Sequence, residues 1–198
     1  WLNLLPAGGE RRALDVGAGS GRDAAALAAR GWAVVAAEPS AGMRAEGKRL
    51  HPEAGLTWVD AGLPGLDRVE APFDLILLSA VWMHVPPGER AAAFDRLVQL
   101  LKPGGLLVVV VRYGPSLDGR TFFDVPEDEL TTFGQRYALE VLDELQTLDR
   151  LGRPELHWRT TVLRAGEDPE GGLRLLRQVI VHDAKSSTYK LALLRSVL

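Results

Sequence analysis

The sequence predicts an α/β fold, in which a doubly wound and mostly parallel sheet is covered by helices on both faces. Residues 13–40 run as a short apolar strand, a glycine loop, an alanine-rich helix, a second apolar strand and an acid. Residues 73–79 form a near-continuous apolar run, which is typical of a central strand buried on both faces. An amphipathic helical pattern, a Lys-Pro-Gly-Gly turn and a further apolar run follow within residues 87–111. Strands therefore alternate with helices, as a parallel sheet requires.

Length and composition limit the function classes. The 198 residues suit one α/β domain with a short additional segment. The net charge of -3 gives no general electrostatic attraction to nucleic acid, so duplex DNA is not expected as a partner. The absence of cysteine excludes disulfides, thiolate metal sites and a cysteine nucleophile. Because neither a signal peptide nor an apolar span of about 18 residues is present, we expect a cytoplasmic enzyme with no membrane partner.

The glycine loop and the acid that follows it predict a site for an adenosine-bearing cofactor. Gly17, Gly19 and Gly21 allow a sharp turn and leave no Cβ between the backbone and a ligand. The N–H groups at the start of the following helix offer hydrogen-bond donors and a partial positive charge. Glu38, at the end of the second strand, can accept two hydrogen bonds from a ribose diol. The glycines alone would also fit an ordinary βαβ unit with a tight turn.

The glycine spacing distinguishes between cofactors. Dinucleotide folds use G-x-G-x-x-G, but Arg22 stands where that pattern needs glycine or alanine. The pattern here is G-x-G-x-G preceded by Asp15, and it resembles the first motif of the class I S-adenosylmethionine-dependent methyltransferases. The resemblance implies a Rossmann-like seven-stranded sheet with an antiparallel C-terminal edge hairpin. It also implies that Asp15 orients the methionine end of S-adenosyl-L-methionine and that Glu38 holds the ribose.

The resemblance extends to the adenine side of the site. Ser40 is a plausible N-cap for a helix that reaches Leu50, and Met43 on its first turn matches the position that packs against adenine in the family. A lone methionine on a helix would otherwise belong to the core. The third strand, Leu56–Asp60, ends in an acid that resembles the adenine-recognition position, although an aspartate at the start of a loop is common. The cofactor-binding residues predicted in this way are Asp15, Gly17, Gly19, Gly21, Arg22, Glu38, Pro39, Met43, Asp60, Ala61 and Ser79.

The substrate crevice is expected outside the carboxyl end of the fourth strand, at Ser79-Ala80-Val81-Trp82. This segment lacks the Asn/Asp-Pro-Pro-aromatic pattern of the methyltransferases that act on adenine or on glutamine amides, so a small-molecule acceptor is favoured. His84 and Tyr113 follow the fourth and fifth strands and are the candidate catalytic proton acceptors. His84 could instead form a wall of the site or support a neighbouring site residue, and Tyr113 could be a stacking or capping group. No acid or histidine cluster has metal-ligand spacing, which predicts a metal-independent reaction.

The C-terminal half resembles the family in architecture. A helix over residues 87–101 and a strand over 106–111 flank the turn Lys102–Gly105, and a second helix is expected over 127–140. The runs Leu139–Leu148 and Leu156–Arg164 are expected to form the edge hairpin. The methyltransferase domain then spans residues 1–165, residues 166–172 form a linker, and residues 173–198 form a truncated helical extension. We also expect the helix that usually precedes the first strand to be truncated.

The predicted function is metal-independent methyl transfer from S-adenosyl-L-methionine to an oxygen, nitrogen or other soft nucleophile of a small molecule. Proximity and in-line orientation are expected to supply most of the rate enhancement. One alternative is a nicotinamide-dependent oxidoreductase, which Arg22 disfavours. The other is a non-catalytic cofactor-binding domain of a larger multidomain protein. The sequence leaves the acceptor and the oligomeric state open.

Overall fold

A computed structural model of the chain describes residues 9–116, 119–149 and 153–167. Strands and helices alternate through most of these residues, as the sequence predicts. The strands are β1 (Arg12–Val16), β2 (Ala33–Ala37), β3 (Thr57–Val59), β4 (Phe73–Ser79), β5 (Leu101–Tyr113), β6 (Glu140–Leu148) and β7 (His157–Arg164). The helices are α1 (Arg22–Ala28), α2 (Ala41–Leu50), α3 (Arg90–Leu100) and α4 (Glu129–Arg136). Two short 3-10 turns, Trp82–His84 and Pro87–Glu89, connect β4 to α3.

The strands form one seven-stranded sheet in the order β3-β2-β1-β4-β5-β7-β6. Strands β1 to β5 pair in parallel, and β7 pairs antiparallel with both β5 and β6. Strand order reverses between β1 and β4, which is where open α/β sheets bind ligands beyond the carboxyl ends of their strands. The predicted Rossmann-like sheet with an antiparallel edge hairpin is confirmed.

Alternate side chains of the central strands enter two apolar layers, one on each face of the sheet. Leu14, Ile76 and Leu78 pack in the layer that contains Phe94 and Leu97 of α3. Ala13, Leu75 and Leu77 pack in the layer that contains Ala24 and Leu27 of α1. Burial on both faces explains why β4 is a continuous apolar run rather than an alternating one.

The structure places the ends of two predicted elements at different residues from the sequence analysis. Strand β5 begins at Leu101 rather than Leu106, because Leu101 pairs with Phe73 across a register shift in the ladder. The second C-terminal helix covers Glu129–Arg136 rather than residues 127–140. It ends there because Ala138 adopts a left-handed conformation (φ 53°) and the Leu139 N–H donates back to the Gly134 carbonyl at 2.8 Å.

The described fold ends just after β7. The Ala165 N–H donates to the Gly105 carbonyl at 2.9 Å, which ties the end of the hairpin to the start of β5. Residues 1–8, the part of the predicted linker after Glu167 and the predicted extension 173–198 lie outside the described residues. Among the helices of the described ranges, none has the length and apolar character needed to cross a bilayer.

Candidate functional site

The glycine loop is anchored to the end of β2. The N–H groups of Gly17 and Ala18 donate to the Ala37 carbonyl at 2.8 and 3.1 Å, and the Gly21 N–H donates to the Ala18 carbonyl at 2.8 Å. Gly17, Gly19 and Gly21 have φ values of 64°, 56° and 81°, a region that side chains other than glycine rarely adopt. The loop therefore requires glycine at each of the three positions.

The three glycines differ in what surrounds them. A Cβ on Gly17 would lie 2.6 Å from a methyl group of Val81, and a Cβ on Gly21 would lie 2.9 Å from the Trp58 ring. A Cβ on Gly19 would meet only the terminal methyl of Met43, at 3.6 Å. Gly17 and Gly21 thus permit close packing within the protein, whereas Gly19 borders open space.

The Glu38 carboxylate joins this loop to the start of α2. One oxygen accepts from the Gly19 N–H at 2.9 Å and the other accepts from the Ser40 N–H at 2.8 Å. Glu38 is only 8% exposed, yet it borders a cavity of about 510 Å³. A carboxylate has roughly four lone-pair positions, so it retains acceptor capacity for a bound ligand.

This cavity, named here the Glu38 cavity, lies beyond the carboxyl ends of β1, β2 and β4. Six of the predicted site residues line it, namely Gly17, Gly19, Glu38, Pro39, Met43 and His84. Its wall is completed by Val16, Gly62, Leu63, Ala80, Val81, Val85, Pro86, Glu89 and Arg120. Met43 is 40% exposed beside this cavity, so the alternative that it belongs to the core is wrong.

A smaller cavity of about 250 Å³, the Asp15 cavity, meets the Glu38 cavity at Gly17, Gly19 and Ala80. The predicted residues Asp15, Arg22 and Ser79 line it. Asp15 is 2% exposed, and its Oδ2 has no hydrogen-bond partner in the described part of the chain. Burial, together with the nearby carboxylate of Asp23, raises the pKa of Asp15 to about 8. Because buried polar atoms in native proteins are nearly always paired, this oxygen indicates a place for a ligand donor.

Asp60 and Ala61 lie near this site but outside the walls of both cavities. The Asp60 carboxylate is about half exposed and pairs with the Arg44 guanidinium at 3.1 Å. The Ala61 N–H donates to the Val59 carbonyl at 3.1 Å. The role of these two residues in adenine recognition stays a prediction.

His84 can accept a proton at one defined ring nitrogen. Its Nδ1 lies 2.9 Å from the Thr121 carbonyl oxygen, and because a carbonyl only accepts, Nδ1 carries the hydrogen. Nε2 of the neutral ring is therefore the basic nitrogen. The ring also meets Phe122 edge to face, with 4.7 Å between the ring centroids.

Tyr113 lines a third cavity of about 460 Å³, named here the Tyr113 cavity, whereas His84 lines the Glu38 cavity. Its ring stacks on His157 at a centroid distance of 5.0 Å. Burial raises the pKa of the Tyr113 phenol, which keeps the hydroxyl protonated at neutral pH. The two predicted proton acceptors are thus not brought together, and the stacking interpretation fits Tyr113 better than a basic role.

The structure adds residues that the sequence did not single out. Ala80 adopts a left-handed conformation (φ 59°) and lines both the Glu38 cavity and the Asp15 cavity. The Glu129 carboxylate accepts from Trp82 Nε1 at 2.7 Å and from the Arg90 guanidinium at 2.8 Å. Arg90 lies on the same face of α3 as the buried apolar residues. A charged residue on an apolar helix face is the pattern in the sequence that could have identified it. Within the described ranges, no group of three or more metal-ligating side chains could hold an ion.

Comparison with known proteins finds methyltransferases that are similar to this chain. Residues 13–105 match a family model described as a methyltransferase domain, and residues 169–198 match a domain of unknown function (DUF8808). The demethylmenaquinone methyltransferase of Beutenbergia cavernae is 36% identical over 108 residues, which cover 54% of this chain and 43% of that protein. An uncharacterized methyltransferase of Staphylococcus carnosus is 28% identical over 177 residues, which cover 81% of this chain and 82% of that protein.

The fold also matches a solved enzyme. The 1,6-didemethyltoxoflavin-N1-methyltransferase of Burkholderia thailandensis superposes with a TM-score of 0.65 and 22% identity, over 80% of this chain and 72% of that chain. At this identity the likeness concerns the fold. The matched region spans less than half the length of the demethylmenaquinone methyltransferases. The glycine loop, the site carboxylates and the sheet order are all consistent with the methyltransferase domain model that residues 13–105 match.

Proposed function

We propose that this chain binds S-adenosyl-L-methionine across the Glu38 and Asp15 cavities and methylates a small-molecule acceptor. The observation that carries the proposal is the pair of carboxyl groups on either side of the open Gly19 position. Glu38 offers acceptors for hydroxyl donors, and the unpaired Oδ2 of Asp15 offers an acceptor for a donor or a cation. An elongated cofactor with a ribose and an amino group fits this arrangement. Two of the similar proteins are named for methylating demethylmenaquinone and 1,6-didemethyltoxoflavin, which supports a small-molecule acceptor here.

The bound cofactor would supply a methyl group on a positively charged sulfur, which is already electrophilic. The chain's own residues then have to hold an acceptor in line and keep water away, and such positioning can lower a barrier by roughly 7 to 11 kcal/mol in favourable cases. His84 Nε2 can take a proton from an acceptor that carries one at neutral pH. We further propose that no metal ion takes part.

A thermal-shift comparison tests cofactor choice. S-adenosylmethionine and S-adenosylhomocysteine should each raise the melting temperature with concentration, because a ligand that binds only the folded state stabilises it by mass action. NADH should give no shift. A shift with NADH alone would contradict the proposal and support an oxidoreductase.

Methyl transfer to a panel of small oxygen, nitrogen and sulfur nucleophiles tests catalysis itself. Transfer should persist after treatment with EDTA if the reaction is metal-independent. Cofactor binding without transfer to any acceptor would instead support a non-catalytic cofactor-binding domain.

A further inference from the structure

Trp158 of β7 lines the Asp15 cavity, although the sequence analysis did not single it out. The other described residues of the wall lie within 15–23 and 79–80, in the glycine loop, the elements that flank it and the end of β4. Strand β5 lies between β4 and β7 in the sheet. The antiparallel hairpin therefore contributes one long side chain to a cavity whose described wall otherwise comes from the parallel part of the fold.

The alternation of side chains along the strands explains why Trp158 reaches this cavity. Val162, four residues further along β7, packs in the apolar layer that contains α1. Side chains an even number of residues apart in a strand point to the same face of the sheet, so Trp158 lies on that face. By the same alternation Asp15 lies on the face of Ala13, which belongs to the same layer. Trp158 and Asp15 thus border the cavity from one face of the sheet.

The indole ring of Trp158 is fixed by a buried carboxylate. Its Nε1 donates to Asp149 Oδ1 at 3.2 Å, and the Asp149 side chain is only 3% exposed. The Arg153 guanidinium donates to both oxygens of Asp149, at 2.9 and 2.7 Å. A carboxylate that is bonded at both oxygens and shielded from water holds its donors in one arrangement. The ring is therefore preorganised before a ligand enters the cavity.

An indole ring at this position suits one part of the proposed cofactor. Its face offers apolar surface to methylene groups and attracts a cation that lies within about 6 Å of the ring centroid. The amino-acid end of S-adenosyl-L-methionine consists of methylene groups that carry an ammonium and a carboxylate, whereas the adenosine end carries no charge. Because Glu38 borders the other cavity and is the proposed ribose contact, the amino-acid end is the part that reaches the Asp15 cavity.

We propose that Trp158 binds the amino-acid end of the cofactor, and that Asp149 is the positioning residue that holds its ring there. The ring forms the part of the described wall that the glycine loop, α1 and β4 do not supply. Removing the ring opens the cavity to water and weakens ligands that fill it, while ligands confined to the Glu38 cavity are unaffected. The inference rests on the proposed function, from which it takes its ligand.

Two ligands that differ in the amino-acid end test this inference. The full chain is titrated by calorimetry with S-adenosylhomocysteine and with 5′-methylthioadenosine, which keeps the adenosine and the sulfur but has no amino-acid end. Trp158→Leu should weaken binding of S-adenosylhomocysteine by about five- to thirtyfold, the range of a partly desolvated cation–π contact, and should leave binding of 5′-methylthioadenosine unchanged. Equal losses for the two ligands, or no loss for either, would overturn the inference.

A conservative variant and a neighbouring control separate the ring from the fold. Trp158→Phe keeps an aromatic face, so its affinity for S-adenosylhomocysteine should lie between those of the wild type and Trp158→Leu. His157, the preceding residue of β7, stacks on Tyr113 on the other face of the sheet, so His157→Leu should bind both ligands like the wild type. If 5′-methylthioadenosine binds too weakly to measure, these two variants decide. A Trp158→Phe protein as weak as Trp158→Leu, or an equal loss in His157→Leu, would contradict a role of the ring.

Variants of Asp149 test the positioning role. Asp149→Ala frees the ring, so it should weaken S-adenosylhomocysteine by a smaller factor than Trp158→Leu and again leave 5′-methylthioadenosine unchanged. Asp149→Asn keeps an acceptor oxygen for Trp158 Nε1 and should restore most of the affinity. If Trp158→Leu fails to fold, Asp149→Ala decides in its place, and an unchanged preference between the two ligands would contradict the inference.

The two proposals can fail in different ways. If S-adenosylhomocysteine gives neither binding heat nor a thermal shift with the wild type, the proposed function fails and this inference fails with it. If S-adenosylhomocysteine binds the wild type and Trp158→Leu with equal affinity, the proposed function stands and only the further inference fails.

Discussion

Glu38 and Asp15 carry the same functional group in different surroundings. Both oxygens of Glu38 accept backbone N–H groups, from Gly19 and Ser40. Asp15 is buried with one oxygen unpaired, and its pKa is raised to about 8. Backbone donors therefore orient the Glu38 carboxylate, whereas Asp15 of the ligand-free protein keeps its proton at neutral pH.

We expect Glu38→Gln to weaken binding of S-adenosylhomocysteine by at least about tenfold, because hydrogen bonds to a charged group contribute roughly 1.5 to 3 kcal/mol each. The amide NH₂ cannot accept from a backbone N–H, so the bond from Gly19 or the bond from Ser40 is also lost. Calorimetry measures the affinity. Glu46→Gln, on the outer face of α2, is the matched control and should leave the affinity unchanged. Equal affinities in wild type and Glu38→Gln would contradict the role of Glu38.

The pKa of Asp15 predicts a pH dependence of stability. Its ordinary value is 3.8 and its folded value is about 8, so between these pH values the folded state keeps a proton that the unfolded state releases. Stability of the ligand-free protein should therefore fall as pH rises through this window, with a contribution from this group of at most about 1.4 kcal/mol per pH unit.

Urea denaturation at pH 5 and pH 8 checks this expectation. Asp15→Asn removes the ionisation, so the variant should lose less stability than the wild type between the two pH values. Equal losses in both proteins would mean that Asp15 does not carry the raised pKa.

At the residue scale, the sequence predicted groups whose function depends on local order along the chain. The glycine loop, Glu38 and Met43 lie where predicted because each is fixed by the end of a strand or the first turn of a helix. Glu129 was missed because its partners, Trp82 and Arg90, are distant in sequence. Glu129 meets Arg90 from a helix 39 residues further along, and no local pattern reports such a contact.

Among the elements, α2 and β3 support the glycine loop through one side chain. The Trp58 ring of β3 packs against both Gly47 of α2 and Gly21 of the loop. A Cβ at Gly47 would overlap this ring and would also lie 3.0 Å from the Ser20 carbonyl oxygen. Helix α2 therefore needs a glycine on its inner face even though glycine is a poor helix former.

We expect Gly47→Ala to destabilise the protein by about 1 to 3 kcal/mol, because the added methyl group overpacks the contact with Trp58. Gly42→Ala in the same helix is the matched control. A Cβ there would meet only the Ser40 hydroxyl, at 3.9 Å, so the substitution should stabilise the protein by up to about 1 kcal/mol. Urea denaturation should therefore show a lower free energy of unfolding for Gly47→Ala and a higher one for Gly42→Ala than for the wild type. A stabilised Gly47→Ala protein would show that Trp58 can move freely.

Helix α4 holds the segment that carries His84. Glu129 on its first turn binds Trp82 and Arg90, and Arg90 also donates to the Val85 carbonyl at 3.0 Å. These bonds flank His84 on both sides along the chain. Arg90 is fully buried, so the carboxylate of Glu129 compensates a charge that water cannot reach.

Glu129→Gln should lower the free energy of unfolding by about 3 kcal/mol, since breaking a buried ion pair leaves a charge without compensation. Glu140→Gln, which breaks the exposed pair with Arg164, is the control and should cost less than about 1 kcal/mol. Denaturant midpoints of the two variants measure the difference. Similar small losses for both would mean that water compensates Arg90 when Glu129 is neutral.

For the whole molecule, the alternation of strands and helices was predictable because each parallel crossover has its own signal, whereas the seven-stranded sheet with its edge hairpin was predicted from the resemblance to a family. The bounds of β4 matched the prediction, since a continuous apolar run ends where burial ends. Helix α4 was predicted too long because the left-handed residue that ends it, Ala138, is an alanine, whereas sequence patterns recognise such helix ends by a glycine. The start of β5 was also missed, since Leu101 pairs with Phe73 through a turn that sequence patterns assign to a helix end.

The remaining question at this scale is whether residues 166–198 form part of the methyltransferase domain. The described sheet is complete at Arg164, and the Gly104 N–H donates to both the Ala165 and the Gly166 carbonyls. Residues 169–198 match a family model different from that of residues 13–105. We infer that the domain ends near Ala165 and that a separate segment follows it.

Limited proteolysis of the full chain tests this boundary. Glu167 and Glu170 lie in the predicted linker, so a glutamate-specific protease should cut there before it cuts the ordered domain. The fragment ending near Glu167 should still show a thermal shift with S-adenosylhomocysteine, because every residue that lines the Glu38 and Asp15 cavities in the described structure precedes it. A linker that resists cleavage, or a fragment that unfolds or loses the shift, would show that residues 168–198 belong to the methyltransferase domain.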